Sequence, residues 1–483
     1  MGFCRRSSTP LCRCLWLLAL ISASSAAPSI IRAETADSAD APPPQSDRPN
    51  VLMIAVDDLR PEIDAFGAEG AVTPRLDRLA QRGLRFTHAY CNIATCGASR
   101  ASLMSGLRPT PDRFRNYLAR LDEDAPDITS LPRTFREAGY KTISNGKVFH
   151  HRNDDLAAWS EPPWRPKTSS IWWAKPENRG PGRGPAVEAA ERPDSIYPDY
   201  PIAQRTIDDL DRLAKQDGPF FLACGFYRPH LPFVVPQKYW ELYPTDEIEL
   251  PDNMYFPRDL HPAFGYTWGE LRAYRGIPKR GPVSEETARQ LIRGYRASVS
   301  FVDAQLGRVL DQLELLGLTE NTIIVLWGDH GWQLGEHAMW CKHTNFEVAV
   351  RVPLLIVDPR RPARGTRRQL VEYIDLYPTL CDLAGLEKPD HLQGKSLLPL
   401  VDEPEAAHKE AVFSRHGGRD SVRTQRYRYS EVRANRGRGE LRGAALFDYQ
   451  KDPNENQCVL DDPAYANVAA EMKARLDALR ESW

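Results

Sequence analysis

Four short segments carry side chains that could do chemistry together. Asp57-Asp58 follow the apolar run Val51–Val56. Gly328-Asp329-His330-Gly331 follow Thr322–Trp327, and Arg228-Pro229-His230 follow Pro219–Phe226. Three carboxylates and two histidines thus stand where apolar runs end. Converging there, they could bind a cation: the oxygens suit calcium or magnesium, and the imidazole admits zinc or manganese. Taken singly, each Asp pair is as well explained by a helix cap or a surface turn. The fourth segment is Cys96-Gly-Ala-Ser-Arg-Ala-Ser-Leu-Met-Ser-Gly-Leu-Arg108. Ser99–Ser105 reads as a helix, with Gly106 near its C-terminus. Cys96 then lies at a helix N-terminus, where backbone N–H groups attract anions. Arg100, one turn on, can lean over the same spot. A sulfur, a guanidinium and a helix N-terminus suit a tetrahedral oxyanion. A packed thiol beside a salt-bridged arginine is the plainer alternative.

These residues need a rigid frame. Val51–Val56, Pro219–Phe226, Thr322–Trp327 and Val352–Val357 are continuous apolar runs, the pattern of strands buried on both faces. Thr73-Pro74 opens a helix carrying Leu76 and Leu79 and closed by Gly83, and Pro132 opens another ending at Gly139. Residues 202–215 are helical in pattern. The clearest helix covers about 285–316, with Leu291, Tyr295, Val299, Val302, Leu306, Val309 and Leu313 at three-four spacing. Buried strands alternating with amphipathic helices predict an α/β fold, a large mostly parallel sheet covered by helices on both faces. In such sheets, sites form at the carboxyl ends of the strands. From about 400 the texture changes. Arg423–Val432 alternates like one antiparallel strand, Leu446–Tyr449 reads as another, and Val468, Met472, Leu476 and Leu479 mark a terminal helix. This predicts a smaller C-terminal α+β subdomain. The expected organisation is an export segment over 1–33, a disordered linker over 34–48, a catalytic domain over 49–400 and the subdomain over 401–483.

Composition bounds the rest. The chain has 483 residues, 42% hydrophobic and 27% charged, which excludes a disordered chain and a small disulfide scaffold. Its net charge of −2 gives no support for nucleic-acid binding. Arg5, Arg6 and Arg13 precede the short apolar run Cys14–Ile21 and the small residues Ser22–Ala27. That is the grammar of a signal peptide, and the run is too short for a stable membrane span. The protein is therefore expected to be secreted or periplasmic. Beyond that segment lie Cys91, Cys96, Cys224, Cys341, Cys381 and Cys458, without metal-type spacing. Long Pro-rich loops at 161–200 and 236–284 are expected to be functional or to wrap the surface. Trp164, Trp172 and Trp173 could stack on sugar faces or tuck under their loop.

Cys96-x-Ala98-Ser99-Arg100, followed by Ser105-Gly106, resembles the sulfatase signature C-x-[PA]-S-R. The likeness is strongest to the iduronate-2-sulfatase branch. It extends through Val51–Pro61, Gly146-Lys-Val-Phe-His150, Arg228–Phe233, Gly328–His337, Trp340-Cys-Lys342, residues 371–385 and Leu446–Pro453. The resemblance implies an alkaline-phosphatase-like fold and a sulfuric ester hydrolase. It implies that Cys96 is oxidised to formylglycine, by a formylglycine-generating or anaerobic sulfatase-maturing enzyme. Asp57, Asp58, Asp329 and His330 would hold one Ca2+ together with the converted Cys96. Arg100 would hold the formylglycine hydrate, the nucleophile, and Lys147, His150, His230 and Lys342 would surround the sulfate. Asp329 would deprotonate the hydrate, and either His230 or Lys342 would protonate the leaving oxygen. The implied substrate is a sulfated carbohydrate, with a 2-O-sulfated uronate as the leading choice. Alternatives are a phosphonate or phosphodiester hydrolase and a non-catalytic sulfated-glycan-binding relative. A two-zinc phosphatase fits poorly, with too few ligands at the strand ends. Glu336 and His337 are expected to support their loop. The sequence departs from the branch at Ala98, where many members carry proline, and at His343, where tyrosine is frequent.

Overall fold

A computed structural model describes residues 48–361 and 363–481. The expectations for residues 1–47, an export segment and most of a linker, lie outside the described residues. Arg48, the last linker position, is described and donates to the Ala138 carbonyl at 2.8 Å.

The centre is a seven-stranded sheet. Its strands are β1 (Asn50–Val56), β2 (Leu84–Phe86), β3 (Lys141–Gly146), β4 (Phe220–Phe226), β5 (Thr322–Gly328), β6 (Leu354–Val357) and β7 (Gly365–Arg367), in spatial order β7-β2-β6-β5-β1-β4-β3. β1 pairs in parallel with β4 and β5, and β3 with β4. β6 runs against β5 and β2, so the sheet is mixed. The expected strand 352–357 starts later, because Arg351-Val352 pair instead with Ala89-Tyr90, and it runs antiparallel to its neighbours.

The apolar runs are continuous because both faces are covered. Leu52, Ile54 and Val56 point into one core, and Val51, Met53 and Ala55 into a second. On the first face lie helices α1 (Pro74–Ala80), α4 (Asp199–Leu213) and α5 (Glu285–Leu315). On the second lie α2 (Cys96–Ser105), α3 (Leu131–Glu137) and α6 (Leu376–Ala384). α2 begins at Cys96, three residues earlier than the pattern indicated.

Beyond 400, β8 (Val412–His416), β9 (Arg419–Arg423), β10 (Tyr427–Arg433) and β11 (Leu441–Asp448) form an antiparallel sheet. Helix α7 (Ala466–Glu481) packs Met472 and Leu476 against it. The antiparallel strand expected over 423–432 is β10, which starts later, at Tyr427, because Arg423 ends β9. Thr424 closes a turn between the two strands, exchanging bonds with Tyr427 through its backbone N–H and its hydroxyl. The expected strand 446–449 is the end of the longer β11. The small sheet is sewn to the core: Asn92 donates to Phe413 O at 2.9 Å, and Ser414 donates to Cys91 O at 2.8 Å.

The tryptophan loop turns inward. Trp173 is buried and donates to Pro185 O at 2.9 Å, and Trp172 meets Tyr197 edge-on. Packing under the loop, rather than an open sugar platform, is what these two rings do. The six cysteines outside 1–47 are all buried and unpaired. No helix among the described residues is long and apolar enough to cross a membrane.

Candidate active site

Of the candidate site residues, all but Lys342, which follows the short hairpin strand Trp340–Cys341, leave a central strand end or sit on the first turns of α2. Asp57 and Asp58 follow β1, Lys147 and His150 follow β3, His230 follows β4, and Asp329 and His330 follow β5. The carboxyl ends of these parallel strands lie side by side, which is why residues far apart in sequence meet. Asp58 takes a left-handed backbone, φ 63°. Its carbonyl accepts from Tyr295 Oη at 2.8 Å, and that hydroxyl accepts from Arg60 N at 2.9 Å. The long helix α5 thereby fixes the turn that aims the two aspartates. Behind α2, Gly97 leaves space for the chain at 117. A methyl group there would stand 2.2 Å from Tyr117 O.

Arg100 is completely buried and ties the cluster together. Its Nε donates to Asp329 Oδ2 at 2.9 Å and its Nη2 to Asp57 Oδ1 at 3.1 Å. Nη1 donates to the carbonyls of Lys147 and Val148. Lys147 Nζ meets Asp57 Oδ2 at 2.5 Å. Asp58 N donates to Asp329 Oδ1 at 2.9 Å. Cys96 Sγ lies 3.2 Å from His330 Nε2 and 3.8 Å from Asp58 Oδ1. Lys342 Nζ reaches Asp58 Oδ1 at 3.0 Å. Ligand atoms of Asp58, Cys96, Asp329 and His330 all fall within 4.8 Å of one another, and Asp57, Cys96 and His230 form a second such group. His150 stands at the edge, its ring against Tyr117 and His151.

Burial and charge set the protonation states. Burial tends to raise Asp57, but Lys147, His230 and Arg100 outweigh it and hold the carboxyl well below its usual range. Burial keeps Asp58 above that range despite Lys342. Burial alone would lower Lys147 and Lys342, yet Asp57 holds the first above its ordinary value and Asp58 holds the second well above. Burial, reinforced by Lys147, keeps His150 neutral. Burial also pushes the Cys96 thiol well up. A thiol so placed is a poor nucleophile, because the thiolate is the reactive form. If residue 96 attacks anything, it does so as a different functional group.

Sequence reasoning missed Glu270. It sits in the aperiodic loop 236–284, where no motif or spacing marks it. Its carboxylate lies 3.2 Å from Lys342 Nζ and 3.2 Å from His230 Nε2. Tyr295 was legible as a helix-face residue, but its tie to Asp58 was not. Glu336 pairs with Arg60 at 2.7 Å, and His337 Nε2 bonds Asn454 O at 2.8 Å. Both support the loop, as expected.

The "Sulfatase" family model matches residues 49–386, and "N-sulphoglucosamine sulphohydrolase, C-terminal" matches 335–482. The chain belongs to the sulfatase family. The sulfatase is 34% identical to mouse iduronate 2-sulfatase over 386 residues, covering 71% of this chain and 70% of the relative. The phosphonate monoester hydrolase of Agrobacterium radiobacter superposes with a TM-score of 0.75 at 25% identity, covering 90% of this chain and 96% of that one. A 2-O GAG sulfatase superposes at 0.68 and 25% identity, covering 90% and 92%. The fold is the alkaline-phosphatase-like fold of these sulfatases, and the protein is a sulfuric ester hydrolase.

The family generally uses a metal ion and a formylglycine. The residues here fit a divalent cation. Asp58, Asp329 and His330 offer two carboxylates and an imidazole to one point beside Cys96; the carboxylates suit calcium or magnesium and the imidazole admits zinc or manganese.

Proposed function

We propose that this sulfatase is exported and hydrolyses 2-O-sulfate esters on uronate residues, iduronate-like, of sulfated polysaccharide fragments. The observation that carries the chemistry is the position of Cys96. It opens a buried helix with Asp58 and His330 on one side and Lys147, His230 and Lys342 around it. The names of two relatives, an iduronate 2-sulfatase and a 2-O GAG sulfatase, support the choice of sugar and position. The N-terminal signal grammar supports export.

A formylglycine hydrate at residue 96 would supply a hydroxyl nucleophile, and Ca2+ held by Asp58, Asp329 and His330 would supply positive charge at the sulfate. Asp57, the fourth expected ligand, lies outside this group, its oxygens engaged by Arg100 and Lys147. The protein's own groups do the remainder. Arg100, held by Asp57 and Asp329, presents a fixed guanidinium beside residue 96. Lys147, His150 and Lys342 line the space where non-bridging sulfate oxygens gain charge. Asp329 stands where it can take a proton from residue 96. His230 Nδ1 faces the Leu231 carbonyl at 2.5 Å, which can only accept, so Nδ1 carries a proton. Nε2 is left toward Glu270 and the site, positioned to hold the proton that the leaving sugar oxygen needs.

Mass spectrometry of the Cys96 peptide, on protein from its native producer, tests this reading. Formylglycine at 96 is expected. An unmodified thiol, with conversion working on a control sulfatase in the same cells, removes the nucleophile and leaves a glycan-binding relative. The structural likeness to a phosphonate monoester hydrolase favours a second reading at the same site. Comparing kcat/KM on sulfate and phosphonate esters of one leaving group decides between them.

A further inference from the structure

A cavity of about 310 Å3 lies beside the site and is not part of it. Arg115, Arg415, Arg436, His416 and Asn116 are among its lining residues, and no carboxylate is. Arg415 beneath it is paired with Asp420, so the two exposed arginines, Arg115 and Arg436, supply its net positive charge.

The cavity shares a wall with the site. His416 Nε2 lies 3.3 Å from His343 Nδ1, which in turn lies 2.9 Å from Thr95 Oγ1, next to Cys96. His343 Nε2 also stands 3.7 Å from Glu270, among the site's cations. On another wall, Asn116 precedes Tyr117, whose carbonyl packs on Gly97. The floor is rigid. Arg415 is 2% exposed, with Nη2 donating to Arg436 O at 2.8 Å and Nε 3.3 Å from Asp420. Arg115 and Arg436 are exposed and line the same cavity as the buried Arg415. Planar guanidinium forks pair with carboxylates and sulfates.

We infer that this cavity is a second oxyanion subsite, which binds an acidic group of the sugar chain whose sulfate ester occupies the site at Cys96. The inference rests on the reading of the substrate as a sulfated polysaccharide fragment. It adds that substrates with two correctly spaced anions are preferred over singly charged esters. Two sources share the chemistry: the carboxylate of the reacting uronate and a sulfate on the next sugar.

The test is steady-state kinetics of formylglycine-bearing enzyme with three probes. They are 4-nitrophenyl sulfate, a 2-O-sulfated uronate joined to an N-,6-O-disulfated glucosamine, and the same disaccharide with an unsulfated N-acetylglucosamine. The variant is Arg115→Ala with Arg436→Ala; both side chains are exposed, and thermal unfolding checks that the fold holds. KM for the trisulfated disaccharide is expected to rise about tenfold or more, with 4-nitrophenyl sulfate unchanged within twofold. A rise that persists on the unsulfated hexosamine assigns the carboxylate, and one that vanishes assigns the neighbouring sulfate. Equal losses on aryl and sugar esters, or none on either disaccharide, overturn the subsite. If wild-type enzyme hydrolyses 4-nitrophenyl sulfate but neither disaccharide, the uronate reading has failed by itself. The cavity is then tested by heparin-tetrasaccharide inhibition of aryl sulfate hydrolysis, which the double variant must weaken about tenfold for the subsite to stand.

Discussion

Replacing Tyr295 by Phe removes one oxygen atom and reaches the ion site without touching it. The hydroxyl is buried and makes two bonds, donating to Asp58 O at 2.8 Å and accepting from Arg60 N at 2.9 Å. Phe leaves a buried carbonyl and a buried N–H without those partners, at about 1–3 kcal/mol for each stranded group. Some relaxation is available, so a total of about 2–4 kcal/mol is reasonable. In a chain of this length about 1 kcal/mol corresponds to about 1 °C in Tm, so Tm falls by a few degrees. The local consequence is larger. Asp58 is held at φ 63°, a conformation that costs a non-glycine residue about 1–2 kcal/mol and that Tyr295 helps to impose. Released, the carboxylate loses its aim at Asp329 and His330. Loss of an outer partner of this kind lowers ion affinity about 10- to 100-fold. The assay is Ca2+ titration of chelator-stripped protein by calorimetry, beside thermal unfolding with and without the ion. A Kd within twofold of wild type, alongside the expected fall in Tm, would refute the claim that α5 aims Asp58 and leave Tyr295 as packing.

His230→Ala should slow hydrolysis of a sugar sulfate by about 10²–10⁴ but 4-nitrophenyl sulfate by less than tenfold, because nitrophenolate leaves without a proton. If Lys342→Ala shows that split and His230→Ala does not, the acid is Lys342. Asp303 is buried and accepts from the backbone N–H groups of Arg75 and Leu76, and burial pushes it up to about 7. The folded state then holds a proton that the unfolded chain releases near 4. This contribution to stability is present below about 4 and lost as pH rises through about 7. The Tm of Asp303→Asn relative to wild type should therefore climb between pH 4 and 7, and a flat difference would count against the assignment. Arg428 joins the small sheet to the core, donating to Asn345 O at 2.7 Å and Glu347 Oε2 at 2.5 Å and lying 2.9 Å from Glu455 Oε1. Arg428→Met removes one cation from the half-buried Glu347, which keeps Arg423, Tyr90 and Tyr449, and from the buried Glu455, which keeps Tyr449. A loss of about 1–3 kcal/mol is expected. Double-mutant cycles with Glu347→Gln would recover part of that loss if the pairing is the cause.

The sequence by itself determined the frame and most of the cluster. Uninterrupted apolar runs require a sheet covered on both faces, and polar residues placed directly after them must emerge at strand ends. Asp57, Asp58, Asp329 and His330 were visible as strand-end residues and Cys96 and Arg100 as neighbours on one helix, but their assignment to one site came from the resemblance to the sulfatase signature. Local pattern failed where pairing partners lie far along the chain. The late start of β6 follows from Arg351-Val352 being taken by Ala89-Tyr90, and its antiparallel direction from the path of the chain between β5 and β6, neither of which local pattern shows. The turn at Thr424 delays the start of the strand from Arg423 to Tyr427, because period-two patterning continues through a tight turn. Glu270 had no signature, since its loop has no period and its partners His230, Lys342 and His343 lie 40 or more residues away in sequence. The tie from Tyr295 to Asp58 and the acid-free cavity below Arg115 and Arg436 arise in the same way. Hydrogen bonds and electrostatic fields act through space, so which side chain ends beside which is decided by packing between elements that the one-dimensional pattern describes separately.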